Sequence, residues 1–296
     1  MKPIAILVLL SALVGCKSRE PAAHPPGPSD SSISATPSAT STSAPVAISS
    51  VDPSTPTASI DGARFAFADS TGSLLVWDGT DSLMEGPYFL ATLEGEPAPL
   101  KDMGHQRADA GWDGRQTARN FAKVGGHLFR VADQVVEPNR TYLVVTKQFL
   151  SNHTPIAVTS EICSEMDSLE ASMVPHPQNR RIIKAWSLAS LDGRSLNAVL
   201  FDGRPPLAAL VVADWDSAIS ERFVGEPNDD SSSVWRVDDG GVFNGCGLAI
   251  VAAFKSNGRL EIARTWAAFE GENEVFLQES ADTFAVAKYD NRYWSP

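Results

Sequence analysis

The chain has 296 residues, 43% of them hydrophobic, and a formal net charge of −12. It is long enough for a sizeable core, and its acidic balance argues against nucleic acid as a partner, because phosphate neutralisation requires a basic surface. Residues 1–57 contribute nothing to the imbalance, since Lys2, Lys17 and Arg19 offset Glu20, Asp30 and Asp52, so the charge belongs to the rest of the chain and disfavours close contact with anionic lipid.

In chain order, the first segment is MKPIAILVLLSALVGC. Lys2 supplies a positive n-region, Ile4 to Leu13 an apolar h-region, and small residues precede the cysteine. The run is too short for a stable membrane span. Its ending, Leu13-Val14-Gly15-Cys16, resembles the lipobox of bacterial lipoproteins. The resemblance implies that residues 1–16 are a signal peptide ending at the lipidated Cys16, whose amine becomes the mature N-terminus. The membrane is then reached through an N-terminal lipid, and the protein is anchored to it without spanning it. In that family aspartate after the cysteine favours the inner membrane. Lys17 stands here, which points to the outer membrane, on its periplasmic face or at the cell surface.

Residues 17–57 hold 8 Pro, 11 Ser, 5 Thr and 6 Ala and no aromatic residue. Such a stretch buries too little apolar surface to offset its ordering entropy. It reads as a disordered linker, reaching between roughly 40 Å as a coil and somewhat over 100 Å when extended.

Residues 58–296 read as one β-rich globular region. Arg64–Ala68 and Ser73–Trp77 flank Asp69-Ser70-Thr71-Gly72, Ile183–Leu188 and Leu196–Phe201 flank Asp192-Gly193, and Leu248–Phe254 and Leu260–Phe269 flank Ser256-Asn257-Gly258-Arg259. Asn-Gly tolerates the positive φ of a type I′ turn, so these pairs predict hairpins. Further strands are predicted at Leu128–Ala132, Thr141–Gln148, Leu207–Ala213, Val234–Val237, Glu274–Gln278 and Phe284–Lys288. Tyr289–Trp294 reads as a docked final strand. Helices are predicted at Asp113–Lys123 and at Ser164–Met173, the latter because Ser164-x-x-Asp167 resembles a capping box. The expected fold is mainly β, formally α+β with few short helices, with an antiparallel sheet in a sandwich or barrel-like arrangement. If it has two lobes, the chain breaker after the second helix places their seam near residues 164–180.

With Cys16 blocked by lipid, Cys163 and Cys246 are left in a disulfide-permissive compartment and are expected to pair, tying the two candidate lobes together. His105, His127, His153 and His176 lack the spacing that puts two imidazoles on one metal, so no metal or other cofactor is expected. No nucleophile elbow, P-loop or dinucleotide fingerprint occurs, and no catalytic residue is singled out. Carboxylates are densest between Asp214 and Asp239, without the regular oxygen offsets of a calcium loop. Trp186, Trp235 and Trp266 read as core. The candidate binding surface is Trp112 and Trp215, with Asp214, Asp216, Asp229 and Asp230. The resulting expectation is a lipid-anchored envelope protein, a non-enzymatic module recognising a protein or a cell-wall component. The alternative is a membrane-anchored hydrolase acting on envelope polymers.

Overall fold

The computed structural model describes residues 58–79, 86–132, 134–176, 179–214, 217–225, 243–268 and 271–294, all within one compact unit, Val51–Pro296. The fold is mainly β. Its first half is a closed barrel of β1 (Ala63–Ala68), β2 (Leu74–Trp77), β3 (Tyr88–Ala91), β4 (Ala98–Gln106), β5 (Gly126–Val131) and β6 (Thr141–Thr146), in the order β1-β2-β5-β4-β3-β6. β1 reads ARFAFA with no polar alternation because both its faces are covered. Ala66 and Ala68 join Leu75, Trp77, Leu90, Phe129 and Val144 inside the barrel. Phe67 packs outside against Phe121 and Val124.

A short helix, α1 (Lys147–Asn152), carries the chain onward, its Phe149 N–H capped by the Thr146 hydroxyl. The second half comprises β7 (Thr154–Ile156), β8 (Val158–Glu165), α2 (Ser168–Ser172), β9 (Ile182–Leu191), β10 (Arg194–Phe201), β11 (Leu207–Ala213), β12 (Ala218–Val224), β13 (Leu248–Ser256), β14 (Arg259–Ala268), β15 (Gly271–Ser280) and β16 (Thr283–Tyr293). They form one ten-stranded sheet in the order β7-β13-β14-β15-β16-β12-β11-β10-β9-β8. Every pairing is antiparallel except β12 with β16, which meet in parallel at Ser220 and Thr283. Because β7 and β8 are consecutive in the chain yet terminate opposite ends of the sheet, the sheet curls nearly into a second barrel. Its inner face carries Leu188, Leu196, Leu210, Ile262, Val275 and Leu277.

The two β-systems share a core. Phe65, Leu143 and Val145 of the first, with Phe149 of α1, pack on Phe254, Ala263 and Phe276 of the second. Phe149 meets Phe254 edge-on at 5.1 Å. The passage from one β-system to the other is thus at α1, whereas the expected seam near residues 164–180 falls inside the large sheet, where β8 ends and the chain leads on to β9.

The predicted hairpins are present, with Asp192 and Asn257 at φ 50° and 51° followed by Gly193 and Gly258 at φ 76° and 77°. The tail Tyr289–Tyr293 is part of β16, while Val234–Val237 lies outside the described residues. Two helix expectations need correction. Residues 113–123 give only a 3-10 turn at Phe121–Lys123, because the Asp109, Asp113 and Thr117 side chains accept from the backbone N–H groups of Gly111, Arg115 and Asn120, local bonds that compete with a helix. At α2 the cap is Asp167, with Glu170 completing the capping box, and Ser164 belongs to β8. Among the described residues no helix is long and apolar enough to cross a membrane.

Candidate functional site

Between the barrel and the large sheet lies a cleft of about 750 Å³. One wall is the end of β3 and the turn after it, Leu90 to Glu94, joined by Val135 and Asn139 of the loop before β6 and by Tyr142 of β6. The other is Cys246 to Val251, with Thr265, Glu272 and Arg292, and the cleft reaches Leu188 on the inner face of the large sheet. The wall at Leu93 is fixed by main-chain contact: Val158 N–H donates to the Leu93 carbonyl at 2.6 Å. Gly95 lies so close that a Cβ there would come within 2.8 Å of the Ala157 nitrogen. The turn therefore cannot swing away from the sheet without breaking its seat.

One end of the cleft is built on a buried ionic network. The Arg292 guanidinium, 3% exposed, donates from Nε to the Gln116 carbonyl at 2.8 Å, from Nη1 to the Asn139 carbonyl at 2.9 Å and to Glu272 Oε1 at 3.3 Å, and from Nη2 to Asn139 Oδ1 at 2.7 Å. It also lies over the Phe67 ring, 4.5 Å from its centroid. Asn139 accepts in this way because it turns the chain at φ 59°, a conformation that suits asparagine. Thr141 Oγ1 hydrogen-bonds Glu272 Oε1 and lies 2.9 Å from Glu274 Oε1. Burial first, and the charge of Glu272 second, push the Glu274 carboxyl up to about 8. One hydroxyl proton cannot serve two carboxylates, so neutral Glu274 supplies the second proton, and Glu272 remains the anion facing Arg292. Burial lowers the affinity of the guanidinium for its proton, and the charge and hydrogen bond of Glu272 oppose that shift. Only Glu272 of the two carboxyls lines the cleft.

The other end is marked by the disulfide. Cys163 and Cys246 are bridged with Cα atoms 5.6 Å apart, and both line the cleft. The bridge joins β8 to the turn before β13, two parts of the large sheet, and so does not staple one β-system to the other as the lobe reading expected. Comparison of the chain with protein-family models, curated proteins and solved structures gives no match.

Of the residues singled out by sequence, Trp112 packs partly buried against Phe67, Val76 and Phe121, and its Nε1 donates to the Arg115 carbonyl at 3.0 Å. Asp214 turns the chain after β11, accepting from the Ser217 N–H at 2.8 Å. The two stand on different β-systems, and neither lines the cleft. Trp215, Asp216, Asp229, Asp230 and Cys16 lie outside the described residues. His153 is fully buried, with Nδ1 2.5 Å from Glu261 and Nε2 3.1 Å from the Ser59 carbonyl. His127 meets Asp102 at 2.7 Å. Neither imidazole hydrogen-bonds a serine or cysteine side chain among the described residues. No group of three or more His, Cys, Asp and Glu side chains suited to a metal occurs among those residues. Sequence reasoning missed Thr141, Glu272, Glu274 and Arg292. The usable signal was a pair of glutamates two apart on one face of a strand, directly ahead of the apolar run Val275-Phe276-Leu277, a placement that draws them toward the core and requires buried partners.

Proposed function

We propose that this chain is a non-enzymatic recognition module of the bacterial cell envelope, lipid-anchored at Cys16, held off the membrane by residues 17–57, and binding a protein or cell-wall component in the cleft. The observation that carries the reading is the cleft itself: a concavity of about 750 Å³, with apolar walls at Leu93, Val135, Val136 and Ile250 and hydrogen-bonding groups at one end. Size, apolar lining and a few fixed polar groups are what a ligand site requires. The hydrolase alternative would draw on Glu272 and Glu274, two carboxyls whose environments push their protonation apart. Glu274 is 6% exposed and absent from the cleft wall, so it cannot protonate a bound substrate, and binding is the better reading.

A photo-crosslinking residue at Val135, which lines the cleft and is 71% exposed, tests this in the native envelope, with the same probe at Met103, 41% exposed on β4, as control. The expected result is a discrete adduct from Val135 and none from Met103. Adducts from Met103 alone would overturn the assignment.

A further inference from the structure

The walls of the cleft are not both sheet faces. A cavity lying over a strand's face touches alternate residues, yet here Leu248, Ala249 and Ile250 of β13 line it in succession, continuing from Cys246 and Gly247 in the turn before the strand and followed by Val251 at a bulge. The cleft therefore runs along the edge of β13. The pairing explains why that edge is open. On one side β14 pairs from Leu248 to Ser256, while on the other β7 pairs only with Ala253, Phe254 and Lys255. Among the described residues no strand covers Leu248 to Ala252 on that side. Among the described residues the opposite end of the sheet, β8, is likewise unpaired along its outer edge, and the disulfide pins it to the turn before β13. The large sheet thus stops short of closure, and its unfinished seam opens into the cleft.

We propose that the cleft takes an extended polypeptide, which adds as a strand to the free edge of β13. This inference rests on the cleft being the recognition site and names the ligand class. Outward N–H and C=O groups along Leu248–Ala252, whose alternation shifts once at the Val251 bulge, supply sequence-independent affinity, and the pockets on either side select alternate side chains of the guest. Five residues of edge correspond to about 16 Å of guest strand. Leu93, Val135 and Ile250 offer apolar seats. The positive groups near the cleft are already matched, Arg292 by Glu272 and Arg140 by Glu137 at 2.6 Å, whereas the region beyond residue 57 carries the whole charge of −12. A basic guest is therefore favoured over an acidic one.

The test begins with random linear dodecapeptides displayed on phage and selected on the full-length chain. An enriched peptide is then synthesised in unmodified form and in two forms N-methylated at alternate backbone amides. Strand addition expects binding to fall about tenfold or more in one methylated form and little in the other, because only alternate amides of the guest face β13. It also expects hydrogen-exchange protection at residues 248–252 on binding. Equal loss from both forms, protection elsewhere, or no enrichment over scrambled peptides would overturn it. Soluble peptidoglycan glycan fragments, added as a second arm, separate the two readings. If they protect the cleft and peptides do not, the site stands and strand addition fails. If the selected peptides protect another face and the fragments leave the cleft unchanged, both fail.

Discussion

Glu274 shows how one residue can carry a measurable pH dependence without touching a ligand. Its carboxyl is held at about 8 against an ordinary 4.5, chiefly by burial. The folded chain therefore keeps a proton that the unfolded chain releases, and stability falls as pH rises between those two values. The contribution is fully present below about 4.5 and lost as pH passes through about 8. A Glu274→Gln variant keeps a neutral, hydrogen-bonding side chain beside Thr141 and removes the titration. Urea melts are expected to show wild type and variant nearly equal at pH 5 and the variant more stable at pH 8.5, by on the order of a few kcal/mol. A stability difference that is the same at both pH values would mean that Glu274 is ionised in the fold.

Among the elements, legibility follows burial. β11 reads LAALVVA and is buried throughout, and β9, β10, β13 and β14 announce themselves through their turns, so these strands were plain from sequence. β12 reads AISERFV, and nothing local marks Glu221 as a buried residue. Its partner Arg264 lies 43 residues away in sequence, with Nε 2.7 Å from the Glu221 carboxylate. β4 was hidden by Pro99 and Gly104, and by a bulge between Asp102 and Gly104. β8 was hidden because its ladder with β9 breaks between Ser160 and Ser164, leaving Ile162 94% exposed. The cleft was illegible for the same reason: its walls come from segments far apart in the chain, and its polar end depends on charges whose partners only the fold supplies. The interrupted ladder also makes β8 the element most dependent on the disulfide. Cys163→Ser or Cys246→Ser is expected to lower stability by up to about 4 to 5 kcal/mol on the chain-entropy model for a separation of 83 residues. Hydrogen exchange is expected to rise first in β8. Unchanged melting in both variants would remove the bridge from the forces holding the seam.

For the whole molecule, the decisive place is where the described fold begins. The Ala58 carbonyl accepts from Gln278 Nε2 at 2.9 Å, and the Ser59 carbonyl faces His153 Nε2 at 3.1 Å. A carbonyl can only accept, so His153 Nε2 is the donor in that bond. Gln278 also donates to Glu261 at 2.8 Å, and His153 stacks on Phe149 at 3.9 Å. The first described residues are therefore held by buried side chains of His153, which ends α1, and of Gln278 on β15, braced by Glu261 of β14. Anchoring and folding should separate cleanly. Metabolic labelling with a fatty acid is expected to mark the wild-type chain, and Cys16→Ser is expected to lose the label and move from the membrane to the soluble fraction. Its melting temperature and its Val135 crosslinking chemistry should stay unchanged, because the clasp at Ala58 and Ser59 already fixes the start of the fold. Equal labelling of Cys16→Ser would sink the lipid anchor, and with it the envelope location. A variant that lost both its label and its stability would instead place part of the fold's support in residues 17–57.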